Sequence, residues 1–146
     1  MKKKKIVFVC HGNICRSPMA EYVFKHLLEL NNLSDTCEVV SRATSREEIG
    51  NDIYPPAKRV LSKNHIPFTR HYAKQITIEE YNNADYIFVM EEYNIYNLNR
   101  LLGSVDRNKV MLLGDSEISD PWYDGRFDEV YEQIFNGCLG ILKKYF

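Results

Sequence analysis

The chain has 146 residues, about the length of one ordinary domain, so we expect a single domain spanning residues 1–146. Lys and Arg number 19 and Asp and Glu number 20, and this near neutrality gives no general reason to expect nucleic acid as a partner. Hydrophobic residues make up 45% and charged residues 27%, which is a globular rather than a disordered composition.

The first half of the chain contains two predicted strands and a helix. Residues 5–9 are a β-branched and aromatic run that stops at polar and glycine residues, as a buried parallel strand does. Ser17 is predicted as the N-cap of a helix, with Pro18 at its first position and apolar residues at helical spacing until Asn31. Residues 38–41 predict a second strand.

The second half continues the alternation of strands and helices. The predicted elements are a helix at 57–64, a short helix from the capping box at Thr77, a strand at 85–90, a helix at 92–102 and a strand at 109–113. A loop over 115–125 precedes a last amphipathic helix, whose continuity Gly137 and Gly140 make less certain. The alternation predicts an α/β fold in which helices cover both faces of a parallel sheet and ligands bind at the carboxyl ends of its strands.

No targeting or membrane-spanning segment is predicted. The longest apolar runs, residues 6–10 and 86–90, are far shorter than the roughly 20 residues that cross a bilayer. The lysines at 2–5 are not followed by the apolar region and cleavage site of a signal peptide. We therefore expect a cytoplasmic protein that does not bind membranes, and four reduced cysteines rather than a disulfide scaffold.

The most informative segment, Cys-His-Gly-Asn-Ile-Cys-Arg-Ser at residues 10–17, lies where the first strand gives way to the first helix. The five residues between Cys10 and Arg16 can close a loop whose N–H groups point inward, and the helix adds the positive end of its dipole. Gly12 permits close backbone approach or positive φ, and Asn13 tolerates a left-handed conformation. The segment therefore predicts an anion-binding loop.

Cys10 is the candidate nucleophile of this loop. The charge of Arg16 and the helix dipole both favour its thiolate form, and the guanidinium can hold two phosphate oxygens. Ser17 could donate its hydroxyl to the thiolate, cap the helix, or do both. The alternative for Cys10 is an inert buried thiol.

Residues 9–18 resemble the signature of the low-molecular-weight protein tyrosine phosphatases. The similarity extends to residues 41–45, 49–50, 71–77, 85–87, 90 and 120–123. This resemblance implies a three-layer sandwich with a central four-stranded parallel sheet in the order 2-1-3-4, and a phosphate-binding loop after strand one. It also implies a monomeric enzyme, without metal or cofactor, that hydrolyses phosphotyrosine proteins and small aryl phosphates through a cysteinyl-phosphate and releases inorganic phosphate.

The resemblance also assigns roles to individual residues. Cys10 is implied as the nucleophile, Arg16 as the phosphate ligand, and Asp120 as the general acid that later acts as base. Read alone, Asp120 could equally be a turn former or a helix cap. The residues implied in binding phosphate or substrate are His11, Gly12, Asn13, Ile14, Cys15, Ser17, Trp122 and Tyr123, and those implied in bracing the loop are Ser41 and His71.

Several of these positions keep a second interpretation. Trp122 could serve packing alone, and His11 is interpreted as a rim residue, with an influence on Cys10 as the alternative. Cys15 could form a reversible, redox-sensitive disulfide with Cys10 or simply pack under the loop. Glu91 stands where the family commonly has Asp, and Glu47 stands near a position that is often aromatic; we expect both differences to affect peptide preference.

Four other functions are weighed against the phosphotyrosine phosphatase. A thioredoxin-coupled arsenate reductase needs later cysteines, and none occurs between Cys37 and Cys138. Protein-arginine phosphatases of the same family carry Thr at the position of Ile14, so Ile14 favours phosphotyrosine. A non-catalytic phosphate-binding module has no need of a nucleophile and an acid. A metal site built from Cys10, His11 and Cys15 lacks a fourth ligand and a standard zinc spacing.

Overall fold

The computed structural model describes residues 2–146. Its strands are β1 (Lys4–Cys10), β2 (Cys37–Ala43), β3 (Tyr86–Val89) and β4 (Val110–Leu112). Its helices are α1 (Arg16–Leu30), α2 (Pro55–Lys63), α3 (Ile78–Asn83), α4 (Glu92–Leu102), α5 (Pro121–Asp124) and α6 (Phe127–Tyr145), with a 3₁₀ turn at Ser34–Thr36. The four strands form one parallel sheet in the order β2-β1-β3-β4, which confirms the predicted topology.

Helices pack on both faces of this sheet. On one face, Ile6 and Phe8 of β1 join the core formed with α1, α2 and α6. On the other face, Val7 and Val9 join the core formed with α3 and α4. Because both faces of β1 are covered over residues 6–10, the side chains there are all apolar, and this is why the sequence signal for the strand is so clear. The three-layer sandwich is confirmed.

The start of α1 differs from the prediction. The helix begins at Arg16 and its N-cap is Cys15, whose side chain makes no capping hydrogen bond. The prediction that Ser17 caps this helix was wrong, because its hydroxyl is already held by Asn13 and lies beside the Cys10 sulfur. The loop predicted at 115–125 also contains the short helix α5.

The carboxyl ends of β1, β3 and β4 lie side by side because the strands are parallel. The register pairs Val9 of β1 with Val89 of β3, and Val89 with Leu112 of β4. The loop after β1, the segment after β3 and the long loop after β4 therefore start from the same edge of the sheet. Among residues 2–146, no helix is long and apolar enough to cross a membrane.

Candidate active site

The turn from β1 into α1 is built around Asn13. Asn13 is fully buried and adopts the left-handed conformation, with φ 62°, whereas Gly12 does not have a positive φ. In this conformation the Asn13 backbone N–H donates to the Cys10 sulfur over 3.3 Å. The tight turn of the loop is therefore made by Asn13, which tolerates this conformation better than most other residues.

The Cys10 sulfur has a second donor in Ser17. The two side-chain atoms, Cys10 Sγ and Ser17 Oγ, are 3.0 Å apart. Ser17 Oγ accepts a hydrogen bond from Asn13 Nδ2 at 2.8 Å, and its one hydrogen can point either at the sulfur or at the Arg42 carbonyl oxygen, which is farther away at 3.4 Å. A thiolate at Cys10 would accept hydrogen bonds from both the Ser17 hydroxyl and the Asn13 backbone.

The Asn13 side chain is held by three hydrogen bonds. Its Oδ1 accepts from the Lys74 backbone N–H at 3.1 Å, which fixes the orientation of the amide. Its Nδ2 donates to Ser17 and, at 3.0 Å, to Ser41 Oγ. Ser41 in turn donates to the carboxylate of Glu21 at 2.6 Å. A chain of buried polar groups thus runs from Glu21 to the residues that contact the sulfur.

His71 supports the same loop through its backbone. The Nε2 of His71 lies 2.7 Å from the Asn13 carbonyl oxygen, and it must donate because a carbonyl only accepts. Burial lowers the pKa of His71, which favours the neutral ring with its proton on Nε2. The structure therefore brings His71 and Ser41 together around Asn13.

Arg16 is almost completely buried and held from one side. Its Nη1 donates to Glu91 Oε1 at 2.5 Å and to the Ile118 carbonyl at 2.8 Å. Its Nη2 lies 3.6 Å from Asp120 Oδ2, and its Nε has no hydrogen-bond partner within residues 2–146. Nε and Nη2 form one edge of the guanidinium, so this edge is available to bind two oxygens of an anion.

The charges around Arg16 keep it protonated. Burial by itself disfavours the charge, but Cys10, Glu91 and Asp120 together raise the pKa of Arg16 above its usual value. We predicted that Glu91 would affect peptide preference, and the structure instead places its carboxylate in contact with Arg16. The longer side chain at this position therefore bears on how the arginine is positioned.

Asp120 has one contact on each carboxylate oxygen. It is the N-cap of α5, where Oδ1 accepts from the Trp122 backbone N–H at 3.0 Å, and Oδ2 faces Arg16. The helix-cap interpretation of Asp120 and its placement beside the loop both hold in the structure. The carboxylate remains about one quarter exposed.

These groups share one cavity of about 170 Å³. It is lined by residues 10–16 together with Glu47, Glu48, Asp120, Trp122 and Tyr123. Ser17 is the only predicted binding residue outside this lining, since it lies fully buried beside the sulfur. The cavity is smaller than the roughly 300–1,000 Å³ typical of drug-sized ligands, which fits a phosphate group and part of a ring.

Tyr54, which was not predicted from the sequence, packs against the aromatic wall of this cavity without lining it. The ring of Trp122 packs against Tyr54 with 4.5 Å between centroids, and Tyr123 is largely exposed. Tyr54 stands directly before the prolines that open α2, where no motif marked it. Glu48, Glu21 and the Ile118 carbonyl were also missed, the last because a backbone oxygen leaves no signal in residue types.

The other cysteines differ from Cys10 in their surroundings. Burial, followed by the nearby Cys10 and Asp120, raises the pKa of Cys15 well above its usual value. Burial raises the pKa of Cys37 to about 12 and also raises that of Cys138, which lies in the core as predicted. Within residues 2–146, no three His, Cys, Asp or Glu side chains are grouped so that they could hold a metal ion.

The sequence model of one family, described as low molecular weight phosphotyrosine protein phosphatase, matches residues 5–145. The chain belongs to this family. As a low molecular weight phosphatase it is an enzyme of the hydrolase class. The low molecular weight phosphotyrosine protein phosphatase of Rattus norvegicus is 41% identical, with 97% of this chain and 95% of that protein covered.

Solved structures support the same assignment of this phosphatase. The low molecular weight protein tyrosine phosphatase SP-PTP from Streptococcus pyogenes superposes with a TM-score of 0.91 at 38% identity, covering 98% of this chain and 93% of that chain. The Drosophila arginine phosphatase DARP superposes with a TM-score of 0.87 at 32% identity, covering 97% of each chain. Proteins named for two different phosphorylated residues therefore share this fold.

Proposed function

We propose that this phosphatase hydrolyses phosphotyrosine in proteins, and small aryl phosphates, through a cysteinyl-phosphate on Cys10. The observation that carries the proposal is the meeting of three groups in one cavity: the Cys10 sulfur, the free edge of Arg16 and the carboxylate of Asp120. Membership of a family whose relatives are named for phosphotyrosine supports the same reaction.

Binding places the phosphate between the loop and Arg16. Two phosphate oxygens accept hydrogen bonds from Nε and Nη2 of Arg16, and the backbone N–H groups of residues 11–15 surround the third. The amino end of α1 adds its dipole to this positive field. Phosphoryl transfer depends on donors that are already placed around the equatorial oxygens, and this loop supplies them.

In the first step the Cys10 thiolate attacks phosphorus opposite the tyrosyl oxygen. The S–P bond forms while the P–O bond to tyrosine breaks, and Asp120 gives its proton to the leaving oxygen. The hydrogen bonds from Ser17 and Asn13 stabilise the negative sulfur before attack. The tyrosine side chain then leaves as the neutral phenol.

In the second step water hydrolyses the cysteinyl-phosphate. The Asp120 carboxylate takes a proton from the attacking water, and the S–P bond breaks with its electron pair returning to sulfur. Inorganic phosphate is released and the Cys10 thiolate is restored. Chain residues and water supply every group in these two steps.

The walls of the cavity favour an aryl phosphate. Trp122 and Tyr123 line the cavity, and Tyr54 supports Trp122 from behind. Aromatic rings at this entrance stack on the tyrosyl ring, whereas the short side chains of phosphoserine and phosphothreonine leave these contacts unmade. His11 lies at the rim, where its Nε2 contacts Glu47 over 2.8 Å.

A protein-arginine phosphatase is the second candidate function, because the chain superposes well on DARP. The residue that weighs against it is Ile14, which lines the cavity where arginine phosphatases of the family carry Thr. The apolar side chain of Ile14 offers no hydrogen bond to a guanidinium phosphate.

The deciding experiment measures phosphate release from a phosphotyrosine peptide and a phosphoarginine peptide in parallel, with a metal chelator present. We expect the wild type to prefer phosphotyrosine and Cys10→Ser to release no phosphate from either, because a serine hydroxyl is a far weaker nucleophile than a thiolate. Preference for phosphoarginine would replace the proposal by the second candidate. Activity that survives in Cys10→Ser would contradict the mechanism.

A further inference from the structure

A second cavity, of about 280 Å³, adjoins the catalytic cavity and shares His11 with it. It is lined by His11, by Thr44 and Ser45 after β2, and by Asn97, Arg100 and Leu101 of α4. We call it the Arg100 cavity. The backbone N–H groups of Thr44 and Ser45 donate to the carbonyls of Cys10 and His11 at 3.0 and 3.1 Å, so its floor is joined directly to the nucleophile segment.

The Arg100 cavity carries an unpaired positive charge. Arg100 is exposed, and no Asp or Glu oxygen within residues 2–146 lies closer than 4 Å to it. Its guanidinium lies 5.8 Å from the centre of the Tyr96 ring, which leaves its donors free. Thr44 is only 6% exposed, and its Oγ1 has no hydrogen-bond partner in the described chain.

The two cavities that share His11 differ in the charged residues beside it. On the catalytic side, Glu47 accepts from His11, and Glu48 lines the same cavity. On the other side, Arg100 is the only Lys, Arg, Asp or Glu of the lining. A peptide whose phosphotyrosine fills the catalytic cavity therefore meets a negative rim in one direction and a positive cavity in the other.

We propose that the Arg100 cavity is a specificity site. It binds the side-chain carboxylate of a substrate residue that lies one to three positions from phosphotyrosine. This inference rests on the proposed function. An arginine fork matches a carboxylate in geometry and charge. The distance is reachable because an extended chain covers roughly 3.3–3.6 Å per residue and the two cavities share His11 in their linings.

The test uses phosphotyrosine peptides with a single Glu at each position from three before to three after phosphotyrosine, each paired with the same peptide carrying Gln. Because Arg100 is exposed, we expect kcat/KM to be about two- to fivefold higher for Glu than for Gln at one position. In Arg100→Gln this ratio falls to about one, while hydrolysis of a small aryl phosphate is unchanged. High salt lowers the wild-type ratio by screening.

Arg107→Gln is the matched control. Arg107 is exposed, contacts Glu92, and lines neither cavity, so the substitution removes the same charge elsewhere and preserves the Glu preference. The inference would be overturned if the wild type gave a Glu-to-Gln ratio of kcat/KM of one at every position. It would also be overturned if Arg100→Gln left the ratio unchanged, or if Arg107→Gln lowered the ratio as much as Arg100→Gln does. Hydrolysis absent from all the peptides and from the aryl phosphate would instead overturn the proposed function, and the specificity site with it.

Discussion

The two carboxylate oxygens of Asp120 make different contacts, so its helix-capping role and its proposed role as general acid can be tested separately. One oxygen caps α5 and the other faces Arg16. We predict that Asp120→Ala lowers kcat for a phosphotyrosine peptide about 10²–10⁴-fold, because the tyrosyl oxygen then leaves without a proton. The loss is smaller for an activated aryl phosphate, whose leaving group is stable as an anion. Steady-state kinetics on both substrates measures the difference.

Asp120→Asn is the control for the capping role. Asparagine still accepts from the Trp122 N–H and is an equally good N-cap, but it has no carboxylic proton to give. The two variants should therefore lose activity to a similar extent. Near-normal activity in Asp120→Asn, or an equal loss on both substrates, would show that Asp120 acts by holding α5 and not as the acid.

Cys15 is the residue on which we expect the response to oxidation to depend. We predict that peroxide converts the Cys10 thiolate to a sulfenic acid, which condenses with Cys15 to a disulfide and releases water. Because the pKa of Cys15 is raised, little of it is thiolate at neutral pH, so the disulfide should form faster as the pH rises.

Mass spectrometry of the peroxide-treated protein measures this cross-link. The expected product has lost two hydrogens and contains a peptide joining Cys10 to Cys15, and thiol reduction restores phosphatase activity. Cys15→Ser removes the product and leaves Cys10 open to irreversible oxidation. Wild-type protein that is overoxidised at Cys10 without any cross-link, at neutral and at alkaline pH, would eliminate the switch.

The residues that meet in the loop could be predicted because the loop is local in sequence. Cys10, Asn13 and Ser17 lie within eight residues, and their contacts follow from the strand–loop–helix turn. The role of Glu91 could not be predicted in the same way. Its contact with Arg16 joins residues 75 positions apart, and only the packing of α1 against the segment after β3 creates it.

Among the elements, α6 is a continuous helix that contains two glycines, one of which is required by close packing. The helix runs unbroken from Phe127 to Tyr145 although Gly137 and Gly140 lowered its expected continuity. A Cβ at Gly137 would lie 2.8 Å from the Leu113 carbonyl oxygen and 2.7 Å from Leu113 Cγ, whereas one at Gly140 meets nothing within 4 Å. Gly137 therefore allows α6 to approach the end of β4.

These two glycines give a matched pair of substitutions. We predict that Gly137→Ala lowers the free energy of unfolding by about 1–3 kcal/mol, because the Leu113 backbone must shift. Gly140→Ala should raise it by about 0.5–1 kcal/mol, because alanine favours the helix and meets no obstacle. Urea denaturation of both variants measures the change. Equal effects at the two positions would contradict the close packing at Gly137.

The elements differed in how well their sequences predicted them. The buried run at residues 6–10 of β1 and the capping box of α3 have strong local signals, and both elements occur as predicted. β2 extends to Cys37–Ala43, beyond the predicted 38–41, because its alternating burial gives a weak pattern and pairing with β1 completes it. The four-residue α5 was predicted as loop, since a single turn has no apolar periodicity.

At the scale of the whole molecule, the Asp52 carboxylate connects Lys58 of α2 with the segment that contains His71. Its carboxylate accepts from the backbone N–H groups of Ile53 and His71 at 2.7 and 3.0 Å and from Lys58 at 2.5 Å. Burial alone would raise the pKa of Asp52, but Lys58 and the two N–H groups hold it well below its usual value. The folded state therefore binds this proton less readily than the unfolded chain.

This difference predicts how stability depends on pH. The contribution of Asp52 is fully present above its unfolded pKa of about 3.9 and is lost as the pH falls toward the folded value. We predict that Asp52→Asn is less stable by about 1.5–3 kcal/mol at pH 7 and loses stability less steeply than the wild type below about pH 4. Urea denaturation at a series of pH values measures both, with the exposed Asp35→Asn as control. Parallel curves for Asp52→Asn and the wild type would contradict this linkage.

The sequence by itself determined the family, the order of the strands and of every helix except α5, and the residues of the loop between β1 and α1. These follow from short-range features, because hydrophobic periodicity and a contiguous motif act over a few residues. Only the tertiary structure decided how Arg16 is held, since its partners Glu91 and Ile118 lie 75 and 102 positions away. It also decided that Arg100 of α4 lines the same cavity as His11. Contacts of this kind depend on which elements the sheet brings together, and no local pattern records them.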